Sequence, residues 1–116
     1  MSPDGNLLAN LPDSPLPNEV FEQLLVHSKI RIERIVSTGQ ASEPGFWYDQ
    51  PHGEWVLLVQ GAASLLFEDE PLATNLMPGD YVYIAPHRRH RVQATESKPA
   101  TVWLAIHFDN EVDGGA

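Results

Sequence analysis

Glu54-Trp55-Val56-Leu57-Leu58-Val59-Gln60-Gly61 is the stretch on which the rest of the chain turns. A carboxylate opens a strand-like run, a glycine closes it, and Pro78-Gly79-Asp80 and His90 answer it downstream. In a regular strand Glu54, Val56, Leu58 and Gln60 share one side, and Trp55, Leu57 and Val59 share the other. Both sides are largely apolar, so both need a cover. In a chain of 116 residues the second cover is expected to be another copy of the chain, a homodimer, with the N-terminal arm as the rival. A carboxylate at the start of one strand and an imidazole just past another can meet inside a small barrel and hold a divalent metal.

Outward from this stretch the apolar period is two. Ile30, Ile32 and Ile35-Val36 predict one strand, and 55–59, 62–67, 81–84, 90–94 and 101–108 predict others. Gly61-Ala62, Glu68 to Pro71, Pro78-Gly79-Asp80 and Glu96 to Pro99 supply turns, Asp80 by bonding its own turn backbone. Short strands at this spacing predict an all-β sandwich or barrel. Residues 1–17 hold four prolines and predict an extended arm anchored by Leu7, Leu8 and Leu11. Asn18 is placed to cap one short helix from about Glu19 to His27, because Phe21, Leu24 and Leu25 recur at helical spacing. The expected organisation is arm and helix over 1–28, a β-barrel over 29–110, and an acidic, Gly-containing tail over 111–116.

Length and composition bound the function. The chain is one domain by length. It has no cysteine, so any metal must be held by His, carboxylate, amide or water. No apolar run reaches the ~18 to 20 residues of a membrane span, and the N-terminus lacks a basic region followed by an apolar one, so a cytoplasmic protein without a membrane partner is expected. A formal net charge of -9 argues against nucleic acid as a partner. The local basic cluster His87-Arg88-Arg89-His90-Arg91 is better suited to a small anion or to surface charge pairing.

At this point the sequence resembles the cupin superfamily, small jelly-roll barrels that often hold one metal ion. The first cupin motif is commonly His-x-His, three or four residues, Glu, six residues, Gly. Glu54 and Gly61 match its second half, while the paired histidines fall on Tyr48 and Gln50, or on Trp47 and Asp49 with the longer gap. In the second motif Gly79 and His90 keep their spacing, and Ala85, His87 and Ala94 stand at its Pro, Gly and Asn positions, with Pro86 one place late. The resemblance covers roughly residues 30 to 108 and implies a cupin-type jelly-roll barrel.

Strand alternation sends Tyr48, Gln50, His52 and Glu54 the same way. With His90 they offer a two-histidine, one-carboxylate set suited to Fe(II), Mn(II), Ni(II) or Zn(II), with Gln50 as a neutral oxygen ligand. Three readings stand together: metal-assisted chemistry (oxygenase, isomerase, decarboxylase or lyase type) on a small organic substrate; a metal-free binding or sensing module for a small ligand; and a metal-free acid/base site of Tyr48, Gln50, Glu54 and His90, with Glu54 moved toward neutral pH by burial. Glu54 and Tyr48 are the catalytic candidates. His107 alternates with Trp103 and Ala105 and is expected as a hydrogen-bonded core histidine. His87 is expected to be exposed, and Arg89 and Arg91 to point opposite to His90.

Overall fold

A computed structural model describes residues 1–109, so the predicted tail at 111–116 lies outside the described residues. The described residues are all-β, with eight strands in two sheets. They are β1 Val20–His27, β2 Ile30–Ser37, β3 Gly53–Gln60, β4 Ala63–Phe67, β5 Thr74–Leu76, β6 Tyr81–Ile84, β7 His90–Thr95 and β8 Thr101–Phe108. One sheet runs β1-β2-β8-β3-β6 and the other β5-β4-β7, all antiparallel. No ladder joins the two, so the expected closed barrel is corrected to a pair of facing sheets. Val56, Leu58, Trp103 and Ala105 from the larger sheet pack on Ala63, Leu65, Phe67 and Leu76 from the smaller one, which places the core between them.

The predicted helix over Glu19 to His27 is a strand. His27 pairs with Ile30 across the two-residue loop Ser28-Lys29, with Ser28 at a φ of 50°, the positive value that tight hairpin loops require. A bulge between Gln23 and Leu25 inserts Leu24 into the ladder. That extra residue turns a period of two into the Phe21, Leu24, Leu25 spacing that imitates a helical face. The cross-strand partner, invisible locally, decides the outcome.

The arm before β1 forms no helix or strand, and side-chain hydrogen bonds fasten it to the larger sheet. The Arg34 guanidinium donates to the carbonyls of Leu7 (3.1 Å) and Ala9 (2.7 Å), and the Leu16 N–H donates to Thr38 Oγ1 (2.9 Å). Ser37 donates to Glu19 and accepts from Trp103 Nε1 (3.1 Å), joining the end of the arm to the core.

The turn after β3 explains why the eighth residue of the opening stretch is glycine. Gly61 has a φ of +88°, and a Cβ there would lie 2.6 Å from Thr101 Oγ1 and 2.7 Å from Thr101 Cα. Thr101 cannot yield, because its fully buried hydroxyl donates toward the Ala62 and Glu96 carbonyls and accepts from the Glu96 N–H. The Gly61→Ala variant therefore combines backbone strain with a backbone clash. It is expected to lose at least about 2 kcal/mol of stability in urea unfolding, and a loss below about 0.5 kcal/mol would refute this account.

Candidate functional site

Between the sheets lies a cavity of about 260 Å³. Its apolar wall includes Ile35, Val56, Leu65, Ile84, Val92 and Trp103, and its polar residues are Glu19, Arg31, Glu33, Tyr48, Gln50, His52, Glu54, His90 and His107. Strand register assembles the polar part. Glu54 on β3 sits opposite His107 on β8, and His107 sits opposite Arg31 on β2, so the three form a row across the inner face. The smaller sheet contributes His90, the first residue of β7, which exchanges backbone hydrogen bonds with Tyr48 (2.7 and 3.2 Å).

Glu54 is 8% exposed and His90 4% exposed, and both line this one cavity. Burial raises the Glu54 carboxyl above its ordinary value; nearby His107, His90 and a hydrogen bond from Gln50 oppose that rise, and Glu33 adds to it. His107 Nε2 lies 3.9 Å from Glu54 Oε2. A charged imidazole at that separation would offset roughly 4 kcal/mol at an effective dielectric of 20, comparable to the several kcal/mol cost of burying a carboxylate. The protonation state of Glu54 is thus tied to its neighbours.

His90 is held in one tautomer. Its Nδ1–H donates to the Arg88 carbonyl (2.8 Å), which leaves Nε2 as the nitrogen without a fixed partner. The Tyr48 ring stacks on the imidazole with centroids 5.4 Å apart and planes at 24°. Burial first, then Glu19 and Glu54, raises the Tyr48 phenol above its ordinary value, so it remains a hydrogen-bond donor at neutral pH. Gln50 Oε1 is buried with no hydrogen-bond partner, an acceptor left over for a ligand.

The four residues expected to hold a metal fall into two groups. His52 turns to His107, with Nε2 3.0 Å from His107 Nδ1, while His107 Nε2 donates to Glu33 Oε1 at 2.9 Å. Both nitrogens of His107 and one of His52 are thereby used within a file of side chains, Glu33–His107–His52. Burial, then His107 and Arg31, lowers the His52 imidazole below its ordinary value, against Asp109 and Glu33. Glu54, His90 and the amide of Gln50 are what remains open on the cavity. Among the described residues no group of three or more His, Cys, Asp or Glu is gathered closely enough to hold a metal ion. This donor set falls short of a two-histidine, one-carboxylate centre.

Arg31, Glu33 and Glu19 lay outside the predicted set, whereas His107 is the buried, hydrogen-bonded histidine expected of it and also lines the cavity. The signal for the first two was their alternation with Ile35, which points them inward together. It was masked because Ile30 and Ile32, on the opposite side, are the residues that a core-first reading turns inward. The basic cluster resolves into surface pairing: Arg88 with Asp69 (3.2 Å) and Glu70 (3.0 Å), Arg89 with Glu68 (3.3 Å), and the exposed His87 with Asp49 (2.8 Å). Arg91 donates to the Ser42 carbonyl (2.8 Å) and takes no part in the cavity. Asp80 accepts from the Met77 N–H (2.8 Å), the turn bond anticipated for it.

A cupin-domain family model matches residues 34–107. No curated protein matches the chain. Among solved structures, a protein of Ralstonia eutropha JMP134 described as a "putative mannose-6-phosphate isomerase" superposes with a TM-score of 0.89 at 45% identity, covering 94% of this chain and 100% of that one. A cupin superfamily protein of Desulfitobacterium hafniense DCB-2 gives a TM-score of 0.67 at 20% identity, over 87% and 96% of the two chains. A cupin 2 domain-containing protein of Halorhodospira halophila gives 0.66 at 22%, over 79% and 65%. The two-sheet fold, the retained Glu54-to-Gly61 and Gly79-to-His90 spacings and the family match agree, and the chain belongs to the cupin-domain family.

Proposed function

We propose that the cavity binds a small, mainly apolar organic molecule through one uncharged polar group, and that Glu54 and His90 exchange a proton with that group without a resident metal. The observation that carries this reading is the Glu54 carboxyl itself, buried on the same cavity as an imidazole with one nitrogen locked and the other open. A carboxyl raised by burial keeps its proton to higher pH than an exposed one and can give it up to a bound molecule, and the open Nε2 of His90 can take one. Tyr48 and Gln50 offer a donor and an unpaired acceptor to orient the polar group. The apolar wall holds the remainder, and about 260 Å³ restricts it to a ligand below drug size.

The name of the 45% identical relative points to a phosphorylated sugar. Proton movement between adjacent carbons is within reach of a carboxylic acid and an imidazole. The phosphate fits less well, because the polar lining sets Glu19 and Glu33, and Glu54 whenever it is ionised, against Arg31. A dianion would meet net repulsion there.

Three measurements test this reading. In titrations with a panel of small phenols and benzyl alcohols, at least one is expected to bind, with affinity falling at least about 10-fold in both Glu54→Gln and His90→Ala. Binding of mannose 6-phosphate below about 1 mM, with none of the panel binding, would overturn the proposal.

Protein purified without a nickel column is expected to be metal-free, and added Zn²⁺ or Mn²⁺ is expected to leave its melting temperature unchanged. Near-stoichiometric metal that disappears in Glu54→Ala and His90→Ala would instead restore the metal centre.

The third measurement concerns pH. Because the folded protein raises the Glu54 carboxyl above its ordinary 4.5, this group's contribution to stability is full below that value and is lost as pH rises through the folded one. Glu54→Gln is therefore expected to gain melting temperature over wild type progressively as pH rises above 4.5. A difference independent of pH would show that Glu54 is already ionised throughout.

A further inference from the structure

A second hollow of about 110 Å³ lies at the β1–β2 hairpin end of the larger sheet, outside the chamber that holds Glu54. Register builds its inner wall. Val26 on β1 pairs with Arg31 on β2, and Arg31 pairs with His107 on β8, so one row of side chains runs from this hollow toward Glu54. Val26, Ile30 and Phe108 supply apolar surface, and the Phe108 ring packs over Gly53, where an added Cβ would meet it at 2.8 Å. Lys29 sits in the two-residue hairpin loop, and its carbonyl accepts from the Asp109 N–H at 3.1 Å, which brings Asp109 to the rim.

The charge balance is the reverse of the chamber's. Here Lys29 and Arg31 meet Asp109, whereas the chamber sets Glu19 and Glu33 against Arg31. On a chain with 16 acidic and 7 basic residues, a cation without a carboxylate is the unusual case. Arg34 pairs with Glu22, Arg88 with Asp69 and Glu70, Arg89 with Glu68, and Arg91 bonds loop carbonyls. Among the described residues the side chains of Lys29 and Arg31 make no ion pair and no hydrogen bond. Arg31 is partly buried, so its charge gives up some water with no carboxylate in return. His52 shares the wall. With His107 Nε2 donating to Glu33, a neutral His107 accepts at Nδ1 from the His52 Nε2–H, and His52 Nδ1 is left open. Burial, then His107 and Arg31, against Asp109 and Glu33, keeps the His52 imidazole below its ordinary value, so the positive charge of the hollow comes from Lys29 and Arg31.

We propose that this hollow is a binding site for a short-chain monocarboxylate, its carboxylate on Arg31 and Lys29 and its apolar end against Val26, Ile30 and Phe108. A planar guanidinium matches a carboxylate with two parallel hydrogen bonds, and Lys29 adds a point charge. Net charge selects a monoanion. Two cations against one carboxylate leave one positive charge to be neutralised, and a dianion would leave the site negative beside Asp109 and Glu33. Volume selects a short chain, because about 110 Å³ has room for only a few carbons. The apolar surface gives an organic acid an advantage over an inorganic ion of the same charge. The site is built from residues other than Glu54 and His90, so it adds a second ligand class and does not depend on proton exchange in the chamber.

Isobutyrate is the probe, titrated into the full chain at low ionic strength and followed by NMR at the imidazole C–H resonance of His52. A dissociation constant below about 5 mM is expected, with the neutral isostere isobutyramide at least about 10-fold weaker. Arg31→Gln is expected to weaken isobutyrate at least about 10-fold, and Lys29→Gln, at an exposed loop position that leaves the core untouched, at least about 3-fold. The bound anion is also expected to raise the midpoint of the His52 titration, because it offsets the charge of Arg31. Glu54→Gln is expected to leave isobutyrate binding unchanged, and Lys29→Gln to leave the binding of phenols and benzyl alcohols unchanged, so the two sites fail separately. No binding of isobutyrate below about 5 mM overturns the proposal, as does isobutyramide binding as tightly as isobutyrate. So does a carboxylate whose affinity survives both Lys29→Gln and Arg31→Gln, or rises in Glu54→Gln and thereby places it in the chamber.

Discussion

Burial of the Glu54 carboxyl is the constraint around which the rest of the protein is arranged. The residue cannot turn outward without carrying Val56 and Leu58, its neighbours on the same side of β3, out of the core. Its desolvation is met in part by His107 directly across the ladder, by the Gln50 amide and by His90 on the opposite sheet. Each of those partners needs its own support: His107 leans on Glu33, His90 on the Arg88 carbonyl. One buried acid thus accounts for an unusually polar interior on a small fold.

The strand alternation that buries Glu54 also sets the outer face. On β2 the pattern is inverted relative to a strand with one wet side, with Arg31 and Glu33 pointing in and Ile30 and Ile32 pointing out. Such a strand puts polar groups on the cavity and apolar groups on the outer face. The two properties are different consequences of one choice of register.

Much of this was legible in the sequence, for identifiable reasons. The alternation in 54–60, the turn residues Gly61 and Gly79 and the spacing to His90 are local features, and the strands they imply are present. That Glu54 and His90 line one cavity was anticipated from family spacing. What could not be read was anything decided by a partner strand. The bulge at Leu24 made β1 look helical, and the pairing of His107 with Glu54 depends on β8 lying between β2 and β3, an order that no local pattern contains. The separation of His52 from Glu54 has the same origin: once β8 brings His107 alongside, the imidazole of His52 has a nearer partner than the carboxylate two residues away.

His52 and His107 also border a second hollow on the far side, lined by Val26, Lys29, Ile30 and Phe108. The partition between that hollow and the interior is therefore only two imidazoles and Arg31 deep. A substitution at either imidazole would therefore reshape both hollows at once.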